Sequence, residues 1–219
     1  MALGDFYNRH RVSVHAARDL REYQKRTGTT LSPPIDAELV GEVMYGLCWD
    51  WDVIDEPRGA RVLAALYVDD ARAVLNETHA ALFAERPGLE QYTRGHEVGH
   101  AALHVEAGQL GTPSPALGGQ VVFHRDTSSV ADASGDYWTE RQADWYAAAL
   151  LMPDDLFIDA VLDIRPTGWR DVRALADRFG VTPTAANVRL RVLELPHLSK
   201  DNVWVADPHT EAGQMTLGL

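Results

Sequence analysis

The 219-residue sequence has a single cysteine, Cys48, which excludes a framework of internal disulfides and is typical of a reducing compartment. It contains no run of about 18 apolar residues, the length that a membrane-spanning helix needs, and its start lacks the apolar core of a secretory signal. Positive charge is scarce, since 32 acidic residues outnumber 20 basic ones and give a net charge of −12. This balance disfavours a general affinity for nucleic acid or anionic lipid. We therefore expect a cytoplasmic protein that binds no membrane.

The most informative stretch is His96-Glu97-Val98-Gly99-His100, which lies in an apolar-periodic segment that predicts a helix. On a helix, His96 and His100 are one turn apart on the same face, so their imidazoles can share one tetrahedral metal ion. Glu97 lies about 100° round the helix axis, where its carboxylate can take a proton from a water on that metal. The pattern therefore predicts a catalytic metal site with Glu97 as the general base.

A two-histidine site lacks a third protein ligand, and the alanine- and leucine-rich segment 138–152 predicts a second helix that can supply it. Glu140 and Asp144 are one turn apart and share a face of this helix. We expect Glu140 to complete the metal site and Asp144 to accept the free N–H of a ligand imidazole. The simpler alternative is that both carboxylates face solvent.

Three further side chains near the motif are predicted to remain outside the site. His104 continues the histidine stripe, but it lies about 6 Å further along the helix axis than His100. We therefore expect His104 to contact solvent or a loop and not to bind the metal. His124 and Tyr137 carry groups that can assist a reacting carbonyl, but no spacing ties them to the motif. Both side chains are therefore predicted to take no part in the reaction.

Two helices are predicted before the motif, over residues 5–27 and 35–45, from their apolar stripes. In the second helix, Ile35, Leu39 and Val43 recur at helical spacing. We expect these three side chains to form its buried side.

Strands are predicted over 47–53 and, as a β-hairpin, over 62–68 and 72–75. A short apolar run at 121–123 is a further candidate strand. We expect the strand near 72–76 to have a free edge with which an extended substrate can pair. A small, mostly antiparallel sheet packed against helices indicates the α+β class.

Residues 165–193 predict two short helices with helix-turn-helix character around Gly180-Val181-Thr182-Pro183, where Thr182 suits an N-cap. Six arginines against two aspartates make this segment basic. The segment is therefore a candidate DNA surface, although no recognition code is readable. The acidic remainder favours the other interpretation, a helical pair that packs on the metal domain.

Two blocks of sequence, taken together, resemble the ImmA/IrrE family of metallo-endopeptidases, and the resemblance covers about residues 35–195. The blocks are residues 96–104, which carry the metal motif, and residues 140–153, Glu-Arg-Gln-Ala-Asp-Trp-Tyr-Ala-Ala-Ala-Leu-Leu-Met-Pro. The resemblance implies that zinc, with manganese as the alternative, is bound by His96, His100 and Glu140. It also implies that Glu97 is the general base and that Asp144 supports the site.

The resemblance further implies a zincin-like α+β metallopeptidase domain. We assign residues 1–30 to an N-terminal helix, 31–164 to this domain, 165–196 to the helix-turn-helix-like segment packed on it and 197–219 to a C-terminal tail. Studied members of the family cut a cognate helix-turn-helix repressor and so relieve repression in stress responses or mobile elements. We therefore expect a site-specific endopeptidase with a protein substrate, a repressor, and no direct binding to nucleic acid.

Two other functions compete with this interpretation. The first is a regulator that binds DNA or protein through residues 165–193, with a vestigial or structural metal site. The second is a metal-dependent hydrolase that acts on non-peptide bonds.

Overall fold

The structure, a computed structural model, describes residues 7–112, 122–126 and 135–206. Its helices are α1 (Arg9–Thr27), α2 (Ala37–Tyr45), α3 (Ala80–Glu85), α4 (Pro87–Leu103), α5 (Gly135–Leu151), α6 (Asp154–Ile164), α7 (Trp169–Phe179) and α8 (Pro183–Val192). Its strands are β1 (Cys48–Asp52), β2 (Val62–Tyr67), β3 (Arg72–Asn76), β4 (Val122–Asp126), β5 (His197–Leu198) and β6 (Trp204–Val205). Helices around a small sheet confirm the α+β class.

The two N-terminal helices begin and end at residues whose side chains or backbone suit those positions. Asn8 caps α1 by accepting from Arg11 N, and Asp36 caps α2 by accepting from Leu39 N. The prediction that Leu39 is buried is wrong, since 40% of its surface is exposed. The buried side of α2 is instead formed by Ala37 and Val40, one helical turn apart from each other on the face toward the core.

A buried carboxylate ties the first two helices to α5. Asp19 is 3% exposed and accepts hydrogen bonds from the hydroxyls of Tyr45, at 2.6 Å, and Tyr146, at 2.8 Å. Burial raises the pKa of Tyr45, and the negative charge of Asp19 raises it further, so the phenol remains a donor. Three helices thus share one satisfied polar contact within the main core.

The main sheet has the strand order β1-β3-β2-β4. The predicted hairpin is confirmed, because β2 and β3 pair antiparallel, and the candidate strand near residue 122 pairs antiparallel with β2. The prediction that β3 has a free edge is wrong, since β1 pairs with it in parallel, Cys48 facing Arg72. The hairpin's second strand is therefore an inner strand, and β1 and β4 are the outer strands of this sheet.

Small residues bring α4 and α5 into backbone contact. A Cβ added at Gly99 would lie 3.0 Å from both Cα and O of Ala143 and 3.2 Å from Cβ of Tyr146. A Cβ at Gly95 would lie 3.4 Å from the Cβ of Ala147 and 3.3 Å from Cδ1 of Leu151. Side chains that project from the facing surfaces of these helices therefore meet over short distances.

The C-terminal helical pair packs on the helix that carries the histidine motif. A Cβ at Gly88, in the first turn of α4, would lie 2.5 Å from the main-chain carbon of Val181, in the turn between α7 and α8. Thr182 caps α8 as predicted, accepting from Ala185 N at 3.2 Å. The side chain of Arg189 is buried, donating to Met152 O and pairing with Asp154. Both contacts favour the packing interpretation of this segment.

No helix in the described ranges combines the length and the apolar character that crossing a bilayer requires.

The close contact between α4 and α5 leads to a stability prediction. We expect Gly99→Ala to lower the free energy of unfolding by about 1–3 kcal/mol, because its methyl group meets the main chain of α5. Gly95→Ala is the matched control. There the closest atom is the end of a leucine side chain that can rotate, so the gain of about 1 kcal/mol in helix propensity, which alanine has at both positions, is not outweighed. Urea denaturation measures both variants, and equal unfolding midpoints would contradict the expected difference.

Candidate metal centre

Helix α4 places two buried imidazoles at one point. His96 and His100 lie one turn apart on α4 and are 2% and 0% exposed. Their ring centroids are 4.7 Å apart, and their Nε2 atoms are 3.0 Å apart. The helical spacing of the motif thus turns the same nitrogen of each ring toward a common position.

Helix α5 brings a carboxylate to the same point. The Oε2 atom of Glu140 is 3.0 Å from His96 Nε2, and Oε1 is 3.2 Å from His100 Nε2. Ligand atoms of His96, His100 and Glu140 all lie within 4.8 Å of one another. The structure therefore brings together the three residues that the sequence predicts as metal ligands, and their side chains form a cluster that could hold a metal ion.

Asp144 lies behind one of the imidazoles, one turn further along α5. Its Oδ1 is 3.0 Å from His96 Nδ1, and its main-chain oxygen accepts from the hydroxyl of Tyr92 at 3.0 Å. Because an ionised carboxylate only accepts, His96 Nδ1 is the protonated nitrogen. The lone pair of His96 therefore resides on Nε2, which points at Glu140.

The proton positions on the second imidazole are set by a chain of three hydrogen bonds. Gln142 Nε2 donates to the carbonyl of Tyr7 at 3.2 Å, so its Oε1 accepts from His104 Nε2 at 3.0 Å. Burial lowers the pKa of His104, so this ring is neutral and its Nδ1 can only accept. His100 Nδ1, 3.1 Å away, is then the donor, and its lone pair also resides on Nε2.

The structure adds two partners for His104 that were not expected. Among the described residues, its side chain bonds to Gln142 on α5 and to His100 on its own helix. It lies outside the cluster of ligand atoms, as predicted. Gln142 was not predicted from the sequence, in which its only indication of a role is its place two residues after Glu140 on the same helix.

The charges at the centre favour a cation. Burial lowers the pKa of His100 to about 3, so this ring is neutral at physiological pH. Burial raises the pKa of Glu140, but hydrogen bonds and positive charge from the rings of His100 and His96, when their Nε2 atoms carry protons, lower it below its usual range, so this side chain is a carboxylate. Two lone pairs and a carboxylate at 3.0–3.2 Å repel one another unless a cation lies among them.

The spacing of the donor atoms also suits a divalent metal. At bond lengths of about 2.0–2.1 Å, neighbouring ligands on a tetrahedral ion are roughly 3.3 Å apart. The observed separations between the donor atoms, 3.0–3.2 Å, are close to this value. Two imidazoles and a carboxylate form a ligand set that zinc and several other divalent ions accept.

A sequence model of the M78 peptidases, described as the IrrE N-terminal-like domain, matches residues 84–191. The chain carries a domain of the ImmA/IrrE metallopeptidase family. The matched segment of this M78 domain includes both α4 and α5, and hence all three residues of the metal cluster. A search of curated proteins found no relative that matches the chain.

The remaining residues that the sequence singles out in the M78 domain are Glu97, Tyr137 and His124. Glu97 is fully buried on α4, between the two histidines in sequence. Tyr137 is 41% exposed at the start of α5, and its ring packs against Trp138 with centroids 5.3 Å apart. His124 belongs to β4, where its backbone pairs with Ala65, and its side chain lies outside what the structure describes.

The metal cluster predicts the effect of removing its carboxylate. We expect Glu140→Ala to weaken zinc binding by more than about 100-fold, since loss of an outer hydrogen-bond partner alone costs about 10–100-fold. Competition with a chromogenic chelator measures the affinity. Glu85→Ala, which removes an exposed carboxylate from α3, is the control and should bind zinc like the wild type. Unchanged affinity in Glu140→Ala would rule out this ligand set.

The proton chain through His104 predicts a separate effect. We expect His104→Leu to weaken zinc binding by about tenfold, because His100 then lacks the acceptor that fixes its protonated nitrogen. His104→Gln, whose amide oxygen can accept, should recover part of this loss. The same chelator competition, with circular dichroism to check folding, tests both variants. Equal affinities in the two would show that the acceptor is immaterial.

Proposed function

We propose that this chain is a zinc-dependent endopeptidase that makes a site-specific cut in a partner protein. The observation that carries the proposal is the convergence of two imidazole lone pairs and one carboxylate, from α4 and α5, on a single point. The helix that supplies both histidines also carries Glu97, which is the arrangement that metal-assisted peptide hydrolysis needs. Membership of the M78 domain in a metallopeptidase family supports the same reaction.

The roles of the side chains follow from their positions. When bound, zinc lowers the pKa of its water toward about 7 and polarises the scissile carbonyl. Glu97 takes a proton from the water as its oxygen bonds to the carbonyl carbon, and then gives that proton to the leaving amine as the C–N bond breaks. Asp144 and His104 hold the two ligand imidazoles in the orientation that this step needs.

We infer that the partner protein is a helix-turn-helix repressor, as the resemblance to the ImmA/IrrE family implies. An extended segment of such a substrate can pair with an outer strand of the main sheet. Strand β4 is the candidate, since it ends the strand order beside β2. It replaces β3, which is paired on both sides.

The alternative, a regulator that binds DNA through residues 165–193, has less support from the described contacts. Arg189 is buried and pairs with Asp154, and Arg178 pairs with Asp163. The turn between α7 and α8 packs against Gly88 of α4. Salt-dependent binding to duplex DNA that a chelator leaves unchanged would favour this alternative.

Replacement of Glu97 tests the proposed reaction. We expect Glu97→Gln to lower the rate at which a helix-turn-helix repressor substrate is cut by about 10²–10⁴-fold, because an amide cannot carry the proton. Cleavage is measured by mass spectrometry of the fragments. Glu90→Gln, on the first turn of the same helix, should cut at the wild-type rate.

Zinc affinity must be retained in Glu97→Gln for the comparison to be meaningful, and the chelator competition verifies this. Undiminished cutting by Glu97→Gln would refute the assigned base. Hydrolysis of small esters or amides by the wild type, without cutting of any protein, would instead favour a hydrolase for non-peptide bonds.

A further inference from the structure

A cleft of about 470 Å³ opens between α1, α4, α5 and α8, beside the metal centre. We call it the arginine cleft, because four arginines line it, Arg9, Arg141, Arg189 and Arg191. The chain as a whole has a net charge of −12, so this concentration of positive charge is local. The volume lies within the range of about 300–1,000 Å³ that is typical of small-molecule sites.

Three of these arginines form no ion pair with a described residue. Arg9 and Arg141 both pack on the ring of Trp145, with guanidinium carbons 5.1 and 5.7 Å from its centroid. Within the described part of the chain, neither they nor Arg191 forms an ion pair. Burial lowers the pKa of Arg9, and the positive charges of Arg141 and Arg191 lower it further. Several like charges thus lie together beside a single carboxylate of the cleft lining, Asp144, which bonds to His96, and this excess of positive charge favours an anion between them.

Arg189 is the fourth arginine, and it is built into the cleft wall. Only 3% of its surface is exposed, and its Nε and Nη2 atoms bond to Met152 O and Asp154. Its Nη1 atom has no acceptor among the residues that the structure describes. A rigid guanidinium with a remaining donor is pre-organised to contact a bound oxyanion.

The remaining donors of the cleft also suit a phosphate. Thr184 and Ser13 contribute hydroxyl groups to its lining. The ten-residue helix α8 begins here, with Thr182 as its N-cap. The main-chain N–H groups and the dipole of a helix N-terminus favour an anion and add to the arginine charges.

We propose that the arginine cleft binds a small phosphate-bearing molecule, either inorganic polyphosphate of two or more units or a nucleotide. One carboxylate carries a single charge, whereas three guanidinium groups that pair with no described carboxylate are balanced by the two or three charges that a pyrophosphate group concentrates in a small volume. The limited volume of the cleft and the buried position of Arg189 favour a small ligand over a nucleic acid strand, which needs an extended basic surface.

The arginine cleft is connected to the metal centre through one residue. Asp144 lines the cleft and also bonds to His96 Nδ1. A phosphate bound in the cleft places negative charge beside the carboxylate of Asp144, which changes the hydrogen bond to that imidazole and hence its basicity. The proposed site is distinct from the proposed peptidase function, and binding can be measured whether or not the chain cuts a protein.

Calorimetric titration with pyrophosphate, at about 0.15 M salt to screen weak surface binding, tests the proposal. We expect saturable binding with one site per chain. The double variant Arg141→Gln/Arg191→Gln should bind at least about tenfold more weakly, since each guanidinium contributes charge-assisted hydrogen bonds. Arg173→Gln, an exposed arginine of α7 outside the cleft, is the control and should change affinity by less than about twofold.

Three further titrations decide the class of ligand. Binding of pyrophosphate must persist in Glu140→Ala, because loss there would place the probe on the metal and overturn the proposal. ADP that binds more tightly than pyrophosphate identifies a nucleotide, and the reverse order identifies polyphosphate. Tighter binding of a hexa-aspartate peptide or of single-stranded DNA, or no saturation by pyrophosphate at millimolar concentration, would overturn the proposal.

Discussion

The metal centre depends on how closely α4 and α5 approach each other. Contact between Gly99 and the main chain of Ala143 leaves no room for a side chain between the two helices. This closeness lets the carboxylate of Glu140 reach both imidazoles, with each oxygen within 3.2 Å of an Nε2 atom. A larger separation would leave two neutral histidines and a distant carboxylate. Small residues between the helices are therefore as necessary as the ligands that they bring together.

Local signals in the sequence allowed the helix ends and the ligand set to be predicted. A helix has a fixed period, so His96 and His100, and likewise Glu140 and Asp144, can be placed on one face from spacing alone. Thr182 at a helix start is similarly local. That the two helices face each other could not be deduced from either period; the expectation came from the need of a two-histidine site for a third ligand and was supported by the family resemblance.

Predictions that required the tertiary arrangement were the ones that failed. Leu39 has helical spacing with buried residues, but the side of α2 that meets the core is set by its neighbours and not by its own sequence. β3 was expected at an edge because nothing in a hairpin indicates that an earlier strand, β1, will pair beside it. The bond between His104 and Gln142 was not expected, because the amide lies on another helix.

The bond between Gln142 and Tyr7 spans 135 positions of the chain and uses only the main-chain carbonyl of residue 7. The identity of that residue is therefore immaterial to the bond, whereas its presence is essential. Without it, the amide is free to rotate by half a turn and present N–H to His104. The direction of every proton along the imidazole chain then reverses, and His100 presents a hydrogen to the metal. Removal of the residues up to Tyr7 would thus lower metal affinity by changing which nitrogen of His100 carries the proton.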